Sequence, residues 1–242
     1  MDVEIHKNVE RGKVNLGWLQ SAHTFNFGSY FREDRQGFGM LRVLNDDHIL
    51  PSQGFGTHPH KNMEIVTILL SGALEHRDNQ GNHEVIRTNE VQLMSAGKGV
   101  THSEFNPSEA EPSELLQIWV FPEKLEIQPR YDQKKFNEQD RKNQFQIVVS
   151  PLGTDDPGVK MNQQSYFSLI DLDQNHSVSY SKKIKSNGVY VFQIDGESLV
   201  EGNLIERRDG IGVTEKDEIF IDPKKKSKIL IIEVPLASGV YL

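Results

Sequence analysis

The stretch Thr57-His58-Pro59-His60-Lys61-Asn62-Met63-Glu64 is answered, 38 residues after Glu64, by His102-Ser103-Glu104-Phe105-Asn106. Side chains two apart on a β-strand point to the same face. His58 and His60 can therefore offer both imidazoles to one point, and His102 and Glu104 repeat the spacing. If the two strands oppose each other across a barrel, three nitrogens and one oxygen converge. That donor set suits a first-row divalent metal with open coordination positions. Glu64 opens an apolar strand just after His60. Spacing leaves three roles open for it: ligand, acceptor orienting a histidine N–H, or solvated carboxylate at a strand start.

Outward from these motifs the apolar residues come in short runs, such as Glu64-Ile65-Val66-Thr67-Ile68-Leu69-Leu70, Val189-Tyr190-Val191-Phe192-Gln193-Ile194 and Lys228-Ile229-Leu230-Ile231-Ile232-Glu233-Val234. Turn residues bound them: Ser71-Gly72, Asp78-Asn79-Gln80-Gly81, Asn187-Gly188, Asp195-Gly196. Many short β-branched runs between glycine-rich turns predict an all-β chain of sandwiches or barrels. The one expected helix is short, over 136–144. The polar stretch 128–143 divides the chain into two halves of similar strand density, expected as domains 1–130 and 131–242.

The halves resemble each other weakly. Ile68 to Leu74 aligns with Phe192 to Ser198, Thr88 to Leu93 with Lys216 to Ile221, and Leu116 to Val120 with Leu230 to Val234. The order and similar offsets predict two copies of one β-domain.

Composition narrows the function classes. Eight of the nine histidines fall within the first 102 residues, and there is no cysteine, so disulfides, thiolate zinc sites, iron–sulfur clusters and a cysteine nucleophile are excluded. The net charge of −8 argues against non-specific nucleic-acid binding. No apolar run approaches the ~20 residues of a membrane span, and the charged residues 1–11 do not read as a secretory signal. The expectation is a cytoplasmic monomer that binds neither nucleic acid nor membrane. Neither a Gly-x-Ser-x-Gly elbow nor a phosphate-cradling Gly-x4-Gly-Lys-Ser/Thr loop occurs.

Among the remaining features, His76 and His83 beside a turn are expected to be exposed, His48 to lie in a loop, and His23 to line the barrel mouth. The run Lys224-Lys225-Lys226-Ser227-Lys228 reads as a solvated turn guarding a strand edge. Of Trp18, Phe25, Phe27, Phe38 and Phe55, most are expected in the core and one or two over an apolar pocket.

His-x-His-x3-Glu followed by His-x3-Asn resembles the paired motifs of cupins. The chain is more specifically similar to the pirin family in its shorter bacterial form. The likeness is carried by Gly17-Trp18-Leu19, Leu41-Arg42-Val43-Leu44-Asn45-Asp46-Asp47, Gly54-Phe55-Gly56-Thr57-His58-Pro59-His60, Gly72-Ala73-Leu74-Glu75-His76-Arg77-Asp78, Met94-Ser95-Ala96-Gly97, His102-Ser103-Glu104 and Leu116-Gln117-Ile118-Trp119, and it extends over nearly the whole chain. Thr88-Asn89-Glu90 departs from the usual Pro-Gly-Asp, at a turn away from the motifs.

The resemblance implies a bicupin, two jelly-roll-like β-barrels with a metal in the N-terminal one only. It implies His58, His60, His102 and Glu104 as ligands and moves Glu64 to a place behind them. The implied cofactor is one divalent transition metal, usually iron(II), with nickel, copper, zinc, cobalt and manganese also accepted. The implied activity is that of a quercetin 2,3-dioxygenase, an oxidoreductase acting on a flavonol and O2, with Glu104 as catalytic base. The other role described for pirins is a redox- or metal-sensing regulatory binding protein. Carrying His58 and His60 forward by the 124-residue offset gives Lys182 and Ile184, and the counterpart of His102 and Glu104 falls near 225–229, without a histidine. A silent second barrel is therefore expected.

Overall fold

The computed structural model describes residues 3–236. In chain order its strands are β1 (Val3–His6), β2 (Gly12–Asn15), β3 (Leu19–His23), β4 (Leu41–Ile49), β5 (Gly54–His60), β6 (Glu64–Ser71), β7 (Ala73–Asp78), β8 (His83–Arg87), β9 (Glu90–Ser95), β10 (Val100–Phe105) and β11 (Ser113–Val120). They continue as β12 (Arg130–Lys135), β13 (Gln146–Pro151), β14 (Val159–Met161), β15 (Tyr166–Leu172), β16 (Val178–Ser181), β17 (Asn187–Asp195), β18 (Glu197–Val200), β19 (Asn203–Glu206), β20 (Gly210–Val213), β21 (Glu218–Pro223) and β22 (Ser227–Pro235). No helix among the described residues is long and apolar enough to cross a membrane.

Each half is a barrel of two facing sheets. In the first, a seven-stranded sheet β12-β9-β6-β11-β4-β3-β2 faces the four strands β5-β10-β7-β8. In the second, β1-β20-β17-β22-β15-β13-β14 faces β16-β21-β18-β19. The central order β9-β6-β11-β4 recurs as β20-β17-β22-β15, so the chain is an all-β bicupin with two copies of one arrangement. The edge strands cross the expected division at residue 130. The N-terminal β1 pairs with β20 of the second barrel, and β12 pairs with β9 of the first.

The helix expected over 136–144 shrinks to one 3-10 turn, Glu138–Arg141, capped by the Asn137 side chain accepting from the Gln139 N–H. The polar segment is also no loose linker. The buried Arg141 donates to Asn89 of the first half and Asp171 of the second. Asn89 itself takes a left-handed φ of +69°, which its short polar side chain tolerates.

The continuous apolar runs follow from burial on both faces. In β6, Val66 and Ile68 join Leu116, Phe192, Leu230 and Ile232 in one core between the barrels. The alternate residues of these strands point inward. Inside the second barrel they form an unbroken apolar cluster that includes Val191, Val200, Ile211, Ile219, Ile221 and Ile231. Inside the first barrel the apolar interior is split in two, one cluster around Leu69, Leu74 and Ile86 and another around Ile65, Met94 and Val100. Between them lie buried Thr67, His76, Gln92, His102, Glu104 and Gln117.

Sheet register shows how the halves correspond. Thr67 faces Gln92 and Gln117 on its two neighbours, as Val191 faces Ile211 and Ile231. Glu104 pairs with His76, as Ile221 pairs with Val200. His102 pairs with His58, as Ile219 pairs with Tyr180. The offsets expected from sequence hold for Gly72/Gly196 and for β11/β22, but β9 matches β20 rather than 216–221. The counterparts of His58, His102 and Glu104 are thus Tyr180, Ile219 and Ile221, not Lys182 and the 225–229 region. The offset drifts because β18, β19 and the turn between them are shorter than β7, β8 and their turn, and a constant offset cannot follow a changed hairpin length.

Where the first barrel has Trp119, the second has Glu233. This fully buried carboxyl accepts from the Tyr180 hydroxyl (2.8 Å), the Lys183 and Ile184 N–H groups (2.8 Å each) and the Asn187 amide (3.2 Å). With four donors on two oxygens, no ligand capacity is left over. Glu233→Ala should destabilise the protein by about 3 kcal/mol, because it strands buried donors. Urea unfolding checks this, and metal binding in the first barrel should be unaffected.

Candidate metal centre

The histidine motifs are neighbours on one sheet rather than opposite walls of the barrel. β5 and β10 run antiparallel, with His58 directly facing His102. Their ladder then slips, so that Glu104 faces Phe55. Two residues of β5, Gly56 and Thr57, thus lie opposite the single Ser103. Such a bulge bends the strand and re-aims side chains. At the end of β5, Gly54 lies against the Glu104 carbonyl, where a Cβ would come within 2.1 Å of the oxygen. Only glycine lets the strands approach that closely. Pro59 is tolerated because β5 is an edge strand.

The outcome is a cluster of three imidazoles. Ring centroids lie 4.8 Å apart for His58 and His60, 4.4 Å for His58 and His102, and 4.9 Å for His60 and His102. One nitrogen from each lies within 4.8 Å of the others. His58 donates from Nδ1 to the Gly56 carbonyl (2.8 Å), which leaves Nε2 with its lone pair. Burial, then the neighbouring His58, pulls His60 down to about 4. Burial, then His58, His60 and His76, pulls His102 to about 2. His60 and His102 are thereby neutral near pH 7, as a ligand must be.

Glu104 groups with His102 and His76, again within 4.8 Å. Its Oε2 accepts from the Gln117 amide (3.0 Å), whose own oxygen accepts from the Thr67 hydroxyl (3.0 Å). Its Oε1 has no hydrogen-bond partner, and neither has His102 Nε2. Burial, then the Asp47 charge, raises Glu104 to about 8 against the pull of Gln117. Buried polar atoms without partners are uncommon. A cation between the imidazoles and Glu104 would satisfy both, so these residues fit a divalent metal.

A cavity of about 280 Å³ opens over the cluster. Its walls include Leu19, Phe27, Phe55 and Trp119, and its polar lining includes His23, Asp47, His60 and Glu104. Asp47, raised to about 7 by burial, receives the Ser21 hydroxyl. His23 and Phe27 thus line the mouth as expected, whereas Phe25 and Phe38 pack between the barrels.

Three expectations need correction. Glu64 does not orient a ligand histidine: its Oε2 accepts from the Ser95 hydroxyl (2.7 Å) and the Asn162 N–H (3.0 Å), joining the two halves, and Oε1 has no partner. The inward side of β6 belongs to Ile65 and Thr67, so Glu64 faces the second barrel. His76 is fully buried, not exposed. His48 lies on β4, half-buried beside Glu114. His76-x-Asp78 has the same two-residue spacing as the other motifs, and that was the available signal for it. Its neighbouring turn suggested solvent instead.

The geometry defines a bicupin with one histidine-rich barrel. Residues 4–120 match the Pirin family model, and residues 147–234 match that of the quercetinase C-terminal cupin domain. The chain belongs to the pirin family. It is 38% identical over 237 residues to a quercetin 2,3-dioxygenase of Escherichia coli (strain K12), covering 96% of this chain and 99% of that protein. A pirin-like protein of Caulobacter vibrioides is 32% identical over 222 residues, covering 92% of this chain and 95% of that one. The crystal structure of YhhW from Escherichia coli superposes with a TM-score of 0.92 at 37% identity, covering 98% of this chain and all of that one. Bacterial pirin YhhW in complex with nickel(II) superposes at 0.91.

Glu64 yields a pH test away from the cluster. Burial raises it to about 7, above its ordinary 4.5, despite the bonds from Asn162 and Ser95. The folded state therefore holds the proton more tightly, and stability falls as pH rises from about 4.5 to about 7, then levels. Glu64→Gln, neutral throughout, should gain on the wild type across that interval by an amount on the order of 1–3 kcal/mol. Melting temperatures of metal-free protein from pH 4.5 to 8 measure it.

Proposed function

We propose that this chain is a metal-dependent dioxygenase that opens the heterocyclic ring of a flavonol. In this reading His58, His60, His102 and Glu104 hold one divalent transition metal. The observation that carries the proposal is the cluster of His58, His60 and His102, with His102 also grouped with Glu104, whose Oε1 has no partner, and with His58, His60 and Glu104 lining an aromatic-walled cavity. The Escherichia coli relative named quercetin 2,3-dioxygenase supports the choice of substrate. The metal proposed first is iron(II). Nickel(II) comes next, since the YhhW complex contains it.

A flavonol carries a hydroxyl and a carbonyl on adjacent carbons of a flat apolar ring system. When bound, the metal supplies Lewis acidity, which lowers the pKa of a chelating hydroxyl. Phe27, Phe55 and Trp119 flank the rings and exclude water. Gln117 orients Glu104 through Oε2, and Glu104 is the residue placed to serve as base for the substrate's hydroxyl proton. His60 is set by the edge of Trp119, ring centroids 4.9 Å apart.

His58→Ala, His60→Ala and Glu104→Ala should each lower kcat/KM for quercetin by about 10³-fold, roughly 4 kcal/mol of barrier, with circular dichroism unchanged. Chelator treatment should abolish turnover, and reloading with iron(II) or nickel(II) should restore it. Oxygen uptake with quercetin as substrate measures both. Turnover near wild-type levels in stripped protein or in His58→Ala rejects the reading.

A further inference from the structure

Behind His102, away from the cavity, β7 contributes two inward residues that the mechanism has not used. His76 is fully buried, and its Nε2 lies 3.0 Å from Asp78 Oδ2. Its Nδ1 lies 3.4 Å from Nδ1 of His102 and 3.5 Å from the Gln92 amide nitrogen. The ring is held from the other side by Tyr131 of β12, centroids 4.8 Å apart.

The protons in this chain can be placed. Asp78 is kept as an anion: burial would raise it, but the Asn82 side chain, His76 and the turn amides bring it below the ordinary carboxylate value. Its oxygens accept from the Asn82 amide (2.8 Å) and from the Gln80 and Asn82 N–H groups (2.9 and 3.0 Å). A carboxylate can only accept, so His76 Nε2 carries the hydrogen. Neutral His76 then has a lone pair on Nδ1. That lone pair can receive only a donor, which His102 Nδ1–H supplies and the Gln92 amide shares. The hydrogen of His102 therefore sits on Nδ1, and its lone pair on Nε2, the atom without a partner.

His76, His102 and Glu104 are also close enough to suggest a second ligand set. Both nitrogens of His76 are already engaged, which argues for a supporting role over ligation.

We propose that Asp78 and His76 form a hydrogen-bond relay that fixes the tautomer of His102 and aims its Nε2 into the metal site, His76 acting as a positioning residue. The inference rests on the metal reading of this site. It also gives the Asp78-Asn79-Gln80-Gly81 turn a function, because its backbone clamps the far end of the relay. Such supporting bonds orient ligand histidines and raise their basicity, and losing one typically lowers metal affinity 10–100-fold.

Nickel(II) affinity by chelator competition tests the relay. His76→Phe keeps the packing on Tyr131 but removes the acceptor, and it should bind nickel(II) 10–100-fold more weakly. His76→Gln restores an acceptor and should recover most of the loss. Equal affinity of His76→Phe and wild type overturns the relay, as does an equal loss in both variants. Nitrogen-15 NMR of zinc(II)-loaded wild-type protein decides the matter even if His76→Phe fails to fold. The expected result is a hydrogen on His76 Nε2 and on His102 Nδ1, and the opposite tautomer of either ring overturns the proposal. Failure of the wild type to bind either metal would overturn the metal reading itself, a result distinct from binding that ignores His76.

Discussion

Glu104 is a carboxyl group with 2% of its surface exposed, placed beside the imidazoles of His76 and His102. Burying such a group costs several kcal/mol unless its oxygens are satisfied, and the first barrel is arranged around that cost. Gln117 supplies one donor and is itself held by Thr67 from the adjacent strand. The other oxygen, Oε1, has no hydrogen-bond partner. The same burial keeps His60 and His102 neutral, so the environment that penalises the carboxylate also prepares the imidazoles to donate electron pairs. Removing water from the cluster accomplishes both.

The second barrel shows the alternative solution to the same packing problem. At six inward positions the residues Thr67, His76, Gln92, His102, Glu104 and Gln117 are answered by valine or isoleucine. Its fully buried carboxyl Glu233 is saturated by four donors. At those six positions valine and isoleucine offer no lone pairs to a ligand. The barrel offers rigidity instead: its sheet, with the N-terminal strand added at the edge, backs the seven-stranded sheet that carries Gln117 and Thr67. Glu64 and Arg141 join the halves with hydrogen bonds, around an apolar core to which both contribute.

The four-stranded sheet carries the proposed ligands and their proposed support together. β5, β10 and β7 each place a pair of inward residues two apart, His58 and His60, His102 and Glu104, His76 and Asp78. The bulge opposite Ser103 and the close approach at Gly54 bring the first two pairs together. The β7–β8 turn fixes the third from behind. Ligand geometry is thus set by edge irregularities and support by a tight turn, while the regular central strands supply the rigid wall.

Much of this was legible in the sequence. Period-two alternation is local, so His58-x-His60 and His102-x-Glu104 declared shared faces, and short β-branched runs between glycine turns declared an all-β chain. The absence of cysteine left only nitrogen and oxygen donors. Facts that depend on which strand lies beside which were decided only by the tertiary structure. The motifs proved to be adjacent on one sheet rather than facing across the barrel, because register is a property of pairs of strands. Glu64 turned toward the second barrel, since one residue of phase separates its face from that of Thr67. His76 looked like a turn residue and proved to be buried behind His102, because burial depends on what packs above a strand. The exchange of six polar inward residues for valine and isoleucine in the second barrel appears only once the two registers are aligned.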